Sequence, residues 1–313
     1  MRDALILYNP YSGRRKRRRE ADIRSVQTVF ENSGVKINTS LTGDADHAGE
    51  RARQAAASGC DAVIACGGDG TINAVLQGLV GTKTALGVIP LGTANALAHD
   101  LRIPMHPVKA ARSLLDAEAK RYAVGQVNFQ DRSGRSSSRY FTVAVGIGAD
   151  AHLFYKLDQT LKTNWGMAAY YAKATHVWFT HPLERFETEF RLQNGEFCTA
   201  GVSEVLAVRI SHFGGVLRAF APGASLSRND MRLVLFKTRS RLRYLQYILR
   251  AALGHGWSVP GIELFSAERA RCRLAQNSPK RRIYVEVDGE LAGTLPAELS
   301  MVPDALTMLV PRI

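Results

Sequence analysis

The sequence predicts an α/β domain with a parallel sheet, followed by a mostly antiparallel β domain. Two observations point to the first. Four short apolar runs each enter a turn rich in glycine, asparagine or aspartate, and a helical pattern follows each turn. A third points to the second: from about Tyr122, apolar runs mostly follow one another without an intervening helical pattern. Alternating strands and helices argue for parallel strands covered on both faces, and consecutive strands argue for hairpins.

The elements follow in order. Residues 4–8 lead into "NPYSG" and a basic segment in which Ile23, Val26, Val29 and Phe30 fall at helical spacing. Residues 35–41 lead into "TGDAD", where Asp44 or Asp46 can cap the alanine-rich helix that ends near Ala57. Residues 61–66 lead into "GGDGTIN", and residues 86–89 into "PLGTANALAHDL". Every unusual loop therefore falls at the carboxyl edge of the sheet, where such sheets bind ligands. In the second half, "RYFTVAVGIG", "ERFETEFRLQNGEF", "EVLAVRIS", "MRLVLF", "RIYVEVDGELAG" and "LTMLVP" read as strands. Phe186, Thr188, Phe190 and Leu192 alternate with Glu187, Glu189 and Arg191, and Asn194-Gly195 is a hairpin signal. "RSGRSSSR", residues 132–139, reads as an exposed loop. Helical patterns appear in "LKTNWGMAAYYAKATHVWF" and over residues 241–253, where Leu242, Leu245, Ile248, Leu249 and Ala252 share one face.

With 313 residues and 46% hydrophobic content, two cores can form. A net charge of +13, spread along the chain, favours an anionic partner: nucleic acid, an acidic lipid surface or a phosphate-rich substrate. Four cysteines without a CxxC pair and eight histidines without HExxH spacing argue against zinc and against a disulfide framework, which fits a cytoplasmic protein. "ALILY" is broken by Asn9-Pro10, too soon for a signal peptide, and no run approaches the roughly 18 apolar residues of a spanning helix. A membrane, if one is met, is met from outside.

Gly67, Gly68 and Gly70 can take positive φ and leave no Cβ in the way of a ligand. A helix starting near Thr71 would present unpaired amides at its positive dipole end, a phosphate site. Asp69 would repel a bare phosphate there, and makes sense if a Mg²⁺ ion lies between them. The plainer reading, a strand-to-helix turn with Asp69 as a helix cap, stands beside it. "PLGTANALA" offers a second glycine turn with Gly92, Thr93 and Asn95, and "NPYSG" a third with Asn9, Pro10, Ser12 and Gly13. Neither GxxxxGK[ST] nor GxGxxG occurs.

In order and spacing, "LYNPYSG", "CGGDGTINAV" and "IPLGTANALA" resemble the diacylglycerol kinase catalytic-domain family, which includes bacterial soluble lipid kinases and sphingosine kinases. "VGIGADAHL", "FAPGASL" and "VEVDGE" resemble its later motifs, so the likeness covers nearly the whole chain. It implies an NAD kinase/phosphofructokinase-like nucleotide domain over residues 1–122, completed by 297–313, and a β-sandwich lipid-substrate domain over 123–296. It implies contacts to ATP from Asn9, Pro10, Ser12, Gly13, Thr42, Gly67, Gly68, Asp69, Gly70, Thr71, Asn73, Gly92, Thr93 and Asn95, with Asp69 at Mg²⁺. Glu290 would be the proton acceptor and Asp150 a second acidic group. Their plain alternatives are a solvated residue beside the Asp288-Gly289 turn and a capping residue.

The implied activity is an ATP- and Mg²⁺-dependent kinase acting on a hydroxyl of a diacylglycerol-like or sphingoid lipid. Peripheral contact with an anionic membrane surface would accompany it, and a homodimer is left open. Nucleic acid is not expected, because stacking aromatics and a helix-turn-helix signal are missing. "RRKRRR", residues 14–19, opposes the macrodipole of the first helix and could meet ATP phosphates, an acidic bilayer or only water. The 241–253 helix, with Arg239, Arg241, Arg243 and Arg250 and Trp257 beyond, could rest on anionic lipid or simply pack on the β domain.

The chain departs from the family in two places. Where acids and a glycine usually hold a structural Mg²⁺, "SRNDMRLVLF" has Ser227, Arg228 and Arg232 with Asp230 displaced, so that metal site is expected to be absent. Ala96 replaces the acid of "GTxND" members. Two rivals remain: an NAD kinase, although the Asn-Glu dipeptide of those enzymes is missing, and a non-catalytic lipid- or nucleotide-binding regulator.

Overall fold

A computed structural model of the chain describes residues 1–10, 18–43, 45–149, 183–192, 195–213, 220–254, 258–275 and 282–312. Ser12, Gly13, Asp150, Trp257, the cations at 14–17 and the helical pattern at 161–179 lie outside them. The chain divides into two compact units. One comprises Met1–Val124, His212–Gly215 and Val302–Ile313; the other, Gly125–Ser211 and Val216–Met301. No helix of the described residues is long and apolar enough to cross a membrane.

In the first unit, β1 (Asp3–Tyr8), β2 (Lys36–Leu41), β3 (Ala62–Gly67) and β4 (Ala85–Pro90) run parallel in the order β2-β1-β3-β4. Every residue of β3 and β4 is buried, as central strands covered on both faces must be. Five helices follow the strands: α1 (Arg19–Glu31), α2 (Ala45–Ala57), α3 (Asp69–Leu79), α4 (Ala96–Asp100) and α5 (Pro107–Leu115). Right-handed crossovers send α1 to one face of the sheet and α2 and α3 to the other, and the helices pair accordingly, α1 with α5 and α2 with α3. Ile23, Val26 and Phe30 of α1 are buried at the predicted spacing.

The second unit is antiparallel. Its strands include β7 (Ala144–Gly148), β8 (Phe186–Leu192), β9 (Phe197–Val202), β10 (Glu204–Val208), β11 (Met231–Phe236), β12 (Ile262–Arg273) and β13 (Tyr284–Val287), in the order β13-β7-β10-β11-β12-β8-β9. The long β14 (Glu290–Val310) pairs with β13 through residues 290–294 and with β12 through residues 297–300, closing the ring of neighbours. Farther on, Met308 of the same strand lies parallel beside Leu86 of β4 in the first unit. Phe141, Ile147, Phe186, Phe190, Leu233 and Leu299 are among the residues of the second core. On β8, Phe186, Thr188 and Phe190 point in, as the alternation predicts.

One expectation needs correction. Residues 136–139 are not loop. They belong to β6 (Ser136–Phe141), paired with β5 (Glu118–Gln130), and only the turn at 131–135 is irregular. Serines on a half-exposed hairpin carry no apolar period to read. The helix at 241–253, here α6 (Arg241–Leu253), is present, and it packs through residues other than its aliphatic face. Its buried residues are Tyr244, Tyr247, Arg250 and Ala251, while Leu242, Leu245, Ile248, Leu249 and Leu253 stand exposed. Phe236 stacks on Tyr244 with centroids 4.3 Å apart and meets Tyr247 edge-on at 5.4 Å. The Tyr244 hydroxyl bonds Ser203 Oγ at 2.8 Å, and Tyr247 donates to the Phe220 carbonyl. Aromatic stacking with satisfied hydroxyls thus holds the inner face.

Candidate active site

The four parallel strands end on one side, and their turns are stitched together. Thr42 N–H donates to the Tyr8 carbonyl (3.0 Å), Asn9 N–H to Cys66 (3.3 Å) and Leu91 N–H to Gly67 (2.8 Å). The structure therefore brings Asn9, Thr42, the glycines after β3 and the Gly92 turn to a single edge. The chain leaves β1 toward β2 but leaves β3 toward β4, so the turns after β1 and β3 diverge. That divergence makes the crevice where ligands of such sheets sit.

None of Gly67, Gly68 and Gly70 takes positive φ, and Gly68 is extended at φ −91°. Glycine is required here for close approach instead. A Cβ on Gly92 would lie 2.5 Å from Gly68 Cα, so the two glycine turns touch backbone to backbone. The helix α3 begins at Asp69, two residues before the expected start, with Ile72 N–H to Gly68 O (3.1 Å) as its first internal bond. The amides at its start have no acceptor within the helix.

Asp69 caps a different helix from its own. Its Oδ2 accepts the Asn95 amide at 2.8 Å and its Oδ1 the Ala96 amide at 2.7 Å, at the start of α4. Asn95 is held in the left-handed region (φ 51°) and brackets Gly92: Oδ1 accepts its N–H (2.9 Å) and Nδ2 donates to its carbonyl (3.2 Å). Asn95 thus shapes the turn, whereas Thr93 is exposed beside it. Thr42, Thr71 and Asn73 are buried, and Asn73 Oδ1 accepts from Gln77 at 3.2 Å.

Arg19, the last cation of the basic run, is buried as the first residue of α1, and its guanidinium donates to the Leu91 carbonyl at 3.1 Å. Burial lowers its pKa from the ordinary arginine value, against the pull of Asp22. It lines a pocket of about 680 Å³ with Leu91, Thr93, His99, Met105 and His106. Nothing in the sequence separates Arg19 from its neighbours in the charge run.

In the second unit, Asp288 and Gly289 turn β13 into β14 with φ 48° and 89°. The buried Asp288 carboxylate accepts the amides of Thr142 (3.1 Å), Val143 (2.9 Å) and Ala144 (2.9 Å). Glu290, two residues on, keeps its side chain 44% exposed and accepts from Arg139 at 3.3 Å. Sequence reading missed both Asp288 and Arg139. "VDGE" offers two acids, and only the hairpin register shows which one turns inward.

The segment that departs from the family is organised by arginines. Arg209 is fully buried and donates to the carbonyls of Leu226 (3.1 Å), Arg228 (2.7 Å) and Asp230. Arg228 in turn grips the Asp230 carboxylate through Nε at 2.7 Å. Among the described residues, no three of His, Cys, Asp and Glu gather as metal ligands. All four cysteines are free, and burial pushes the Cys272 thiol up to about 12 and the Cys66 thiol higher still, so neither is a nucleophile.

Comparison with known proteins agrees with this architecture. Residues 3–127 match the diacylglycerol kinase catalytic domain, and residues 142–310 the YegS C-terminal NAD kinase beta sandwich-like domain. The chain is 30% identical to a diacylglycerol kinase of Bacillus subtilis (strain 168), covering 100% of this chain and 97% of that one. It is 28% identical to a diacylglycerol kinase of Mycobacterium tuberculosis over 90% of this chain and 87% of the relative. Among solved structures, a putative diacylglycerol kinase from Bacillus anthracis superposes with TM-score 0.75 at 18% identity, covering 99% and 97% of the two chains. Yeast NADH kinase superposes with TM-score 0.53 at 11% identity over 100% of this chain and 84% of that one, a likeness of fold. With matched turns, matched domains and full-length relatives, the chain belongs to the diacylglycerol kinase family.

Proposed function

We propose that this lipid kinase transfers the γ-phosphoryl group of ATP to the free hydroxyl of diacylglycerol, with Mg²⁺. The observation that carries the reading is the pair of touching glycine turns, locked by Asp69, at the crevice beyond β1 and β3. Amides at the start of α3 that have no acceptor within the helix suit phosphate oxygens, and the missing Cβ atoms let those oxygens approach the backbone. Asp69 suits Mg²⁺ as well: it is partly exposed, and each oxygen keeps a lone pair beyond its amide bond. One carboxylate plus substrate phosphates and water is the usual set for this ion. Bound there, Mg²⁺ would neutralise charge on the phosphates.

The remaining steps belong to the chain. The amides orient the triphosphate, Asp69 keeps the two turns in register, and Glu290 takes the proton of the attacking hydroxyl. Arg139 holds the Glu290 carboxylate in place. The relatives' names favour diacylglycerol over a sphingoid base as acceptor.

The test is incubation with radiolabelled ATP and a total lipid extract, followed by chromatography. Labelled phosphatidic acid is expected. Glu290→Gln should lower turnover by about 10²–10⁴-fold, with ATP affinity and thermal midpoint unchanged. Unaltered turnover removes Glu290 from the mechanism. Transfer to NAD alone, or ATP binding without transfer to any lipid, overturns the function.

A further inference from the structure

Half of the ten large hydrophobic side chains exposed among the described residues sit on one helix. Leu242, Leu245, Ile248, Leu249 and Leu253 of α6 are between 42% and 64% exposed and recur at the spacing of a single helical face. The face is rigidly presented, because Tyr244 and Tyr247 on the opposite side anchor the helix to Phe236. The charge on the helix itself has one sign. Arg241 and Arg243 lie on the helix, the exposed Arg239 just before it, and α6 contains no acidic residue.

We infer that α6 is the membrane-docking element of this protein, lying in the plane of an anionic bilayer with its five aliphatic side chains among the acyl chains. An interfacial helix needs an apolar stripe flanked by cations, and α6 has both. A second copy of the chain fits poorly: a two-fold contact through α6 would set the arginines of each copy against those of the other, with no carboxylate on the helix to meet them. Residues 150–182 fit no better, since Lys156, Lys162 and Lys173 outnumber Asp150 and Asp158. The purpose of the docking rests on the lipid-kinase reading. An acceptor with two acyl chains stays in the bilayer, so the enzyme must come to it.

Co-sedimentation without ATP separates the two ideas. The full chain is mixed with vesicles of phosphatidylcholine alone or of equimolar phosphatidylcholine and phosphatidylglycerol. Wild type should bind the anionic vesicles at least ~10-fold more tightly than the neutral ones, and Leu245→Glu/Leu249→Glu should lose ~10-fold or more of that affinity. The substituted side chains are exposed, so the thermal midpoint should stay unchanged. Phe197→Glu, a charge placed at another exposed apolar residue, on β9, should bind as wild type does. Equal binding by the double variant, no binding by wild type, or no anionic preference overturns the inference. So does a wild-type dimer that the double variant splits on gel filtration. Vesicle binding in the stated pattern without any phosphoryl transfer sinks the kinase reading and leaves the docking surface standing.

Discussion

Two Asp-Gly steps in this chain do the same local work in different surroundings. Asp69, in the first unit, takes two backbone amides from a turn 26 residues away. Asp288, in the second, takes three from a strand start about 145 residues away. Both carboxylates hold remote chain in place. Asp288 is buried, while Asp69 is partly open to solvent. A buried carboxylate surrounded by amides is a structural joint. An open one at a crevice keeps a face for a ligand. The difference lies in burial, which the letters D-G do not encode.

Asp288→Ala should break the comparison most severely. Three amides would lose their acceptor in a buried place, at about 1–3 kcal/mol each, so a loss on the order of 3–5 kcal/mol is expected in denaturant unfolding. Asp69→Ala should cost less stability, roughly 1–2 kcal/mol, as the loss of a cap does. Its turnover per folded molecule should nonetheless fall about 100-fold, because the turns proposed to hold the phosphates lose register. If Asp69→Ala behaves as a smaller Asp288→Ala, destabilised but fully active, Asp69 is a cap and nothing more.

A third aspartate extends the series to the surface. Asp61 accepts the amides of Arg2 (2.5 Å) and Asp3 (3.2 Å) on the exposed surface, and those bonds hold its pKa below the usual carboxylate value. With the folded-state pKa depressed, its contribution is complete above the unfolded value. It is lost as pH falls through the folded one. Asp61→Asn should therefore flatten the acid limb of stability between about pH 5 and pH 2 by less than ~1 kcal/mol, the smallest effect of the three.

The fold class was legible because each strand of the first unit ends in residues that cannot continue it, and because β8 alternates cleanly. Three elements left no such mark. β12 turns Arg269, Arg271 and Arg273 outward, and two of them meet Glu298, Glu187 and Glu189. Its inward residues Ala267, Ala270 and Cys272 are too small to announce a strand. In α5 the buried face is made by Ala110 and Ala111 beside Leu114, and on the long β5 the consecutive buried residues 123–125 interrupt the alternation. The apolar face of α6 was read correctly as a face, but its direction is decided by Phe236, Tyr244 and Tyr247. At the site, the placement of the turns was legible. The Asp69–Asn95 and Glu290–Arg139 bonds were not, since a contact across 26 or 151 residues leaves no local pattern.

The Arg209 guanidinium carries a consequence for how this enzyme meets its surroundings. Three carbonyls converge on a positive charge that is part of the chain. A dissociable ion in that role would tie folding to its free concentration through mass action. A tethered one has no off-rate and no competitor. On the proposed Mg²⁺ requirement, chelator should halt turnover yet leave the melting temperature of the ligand-free protein where it was. In magnesium starvation, the fold would outlast the activity.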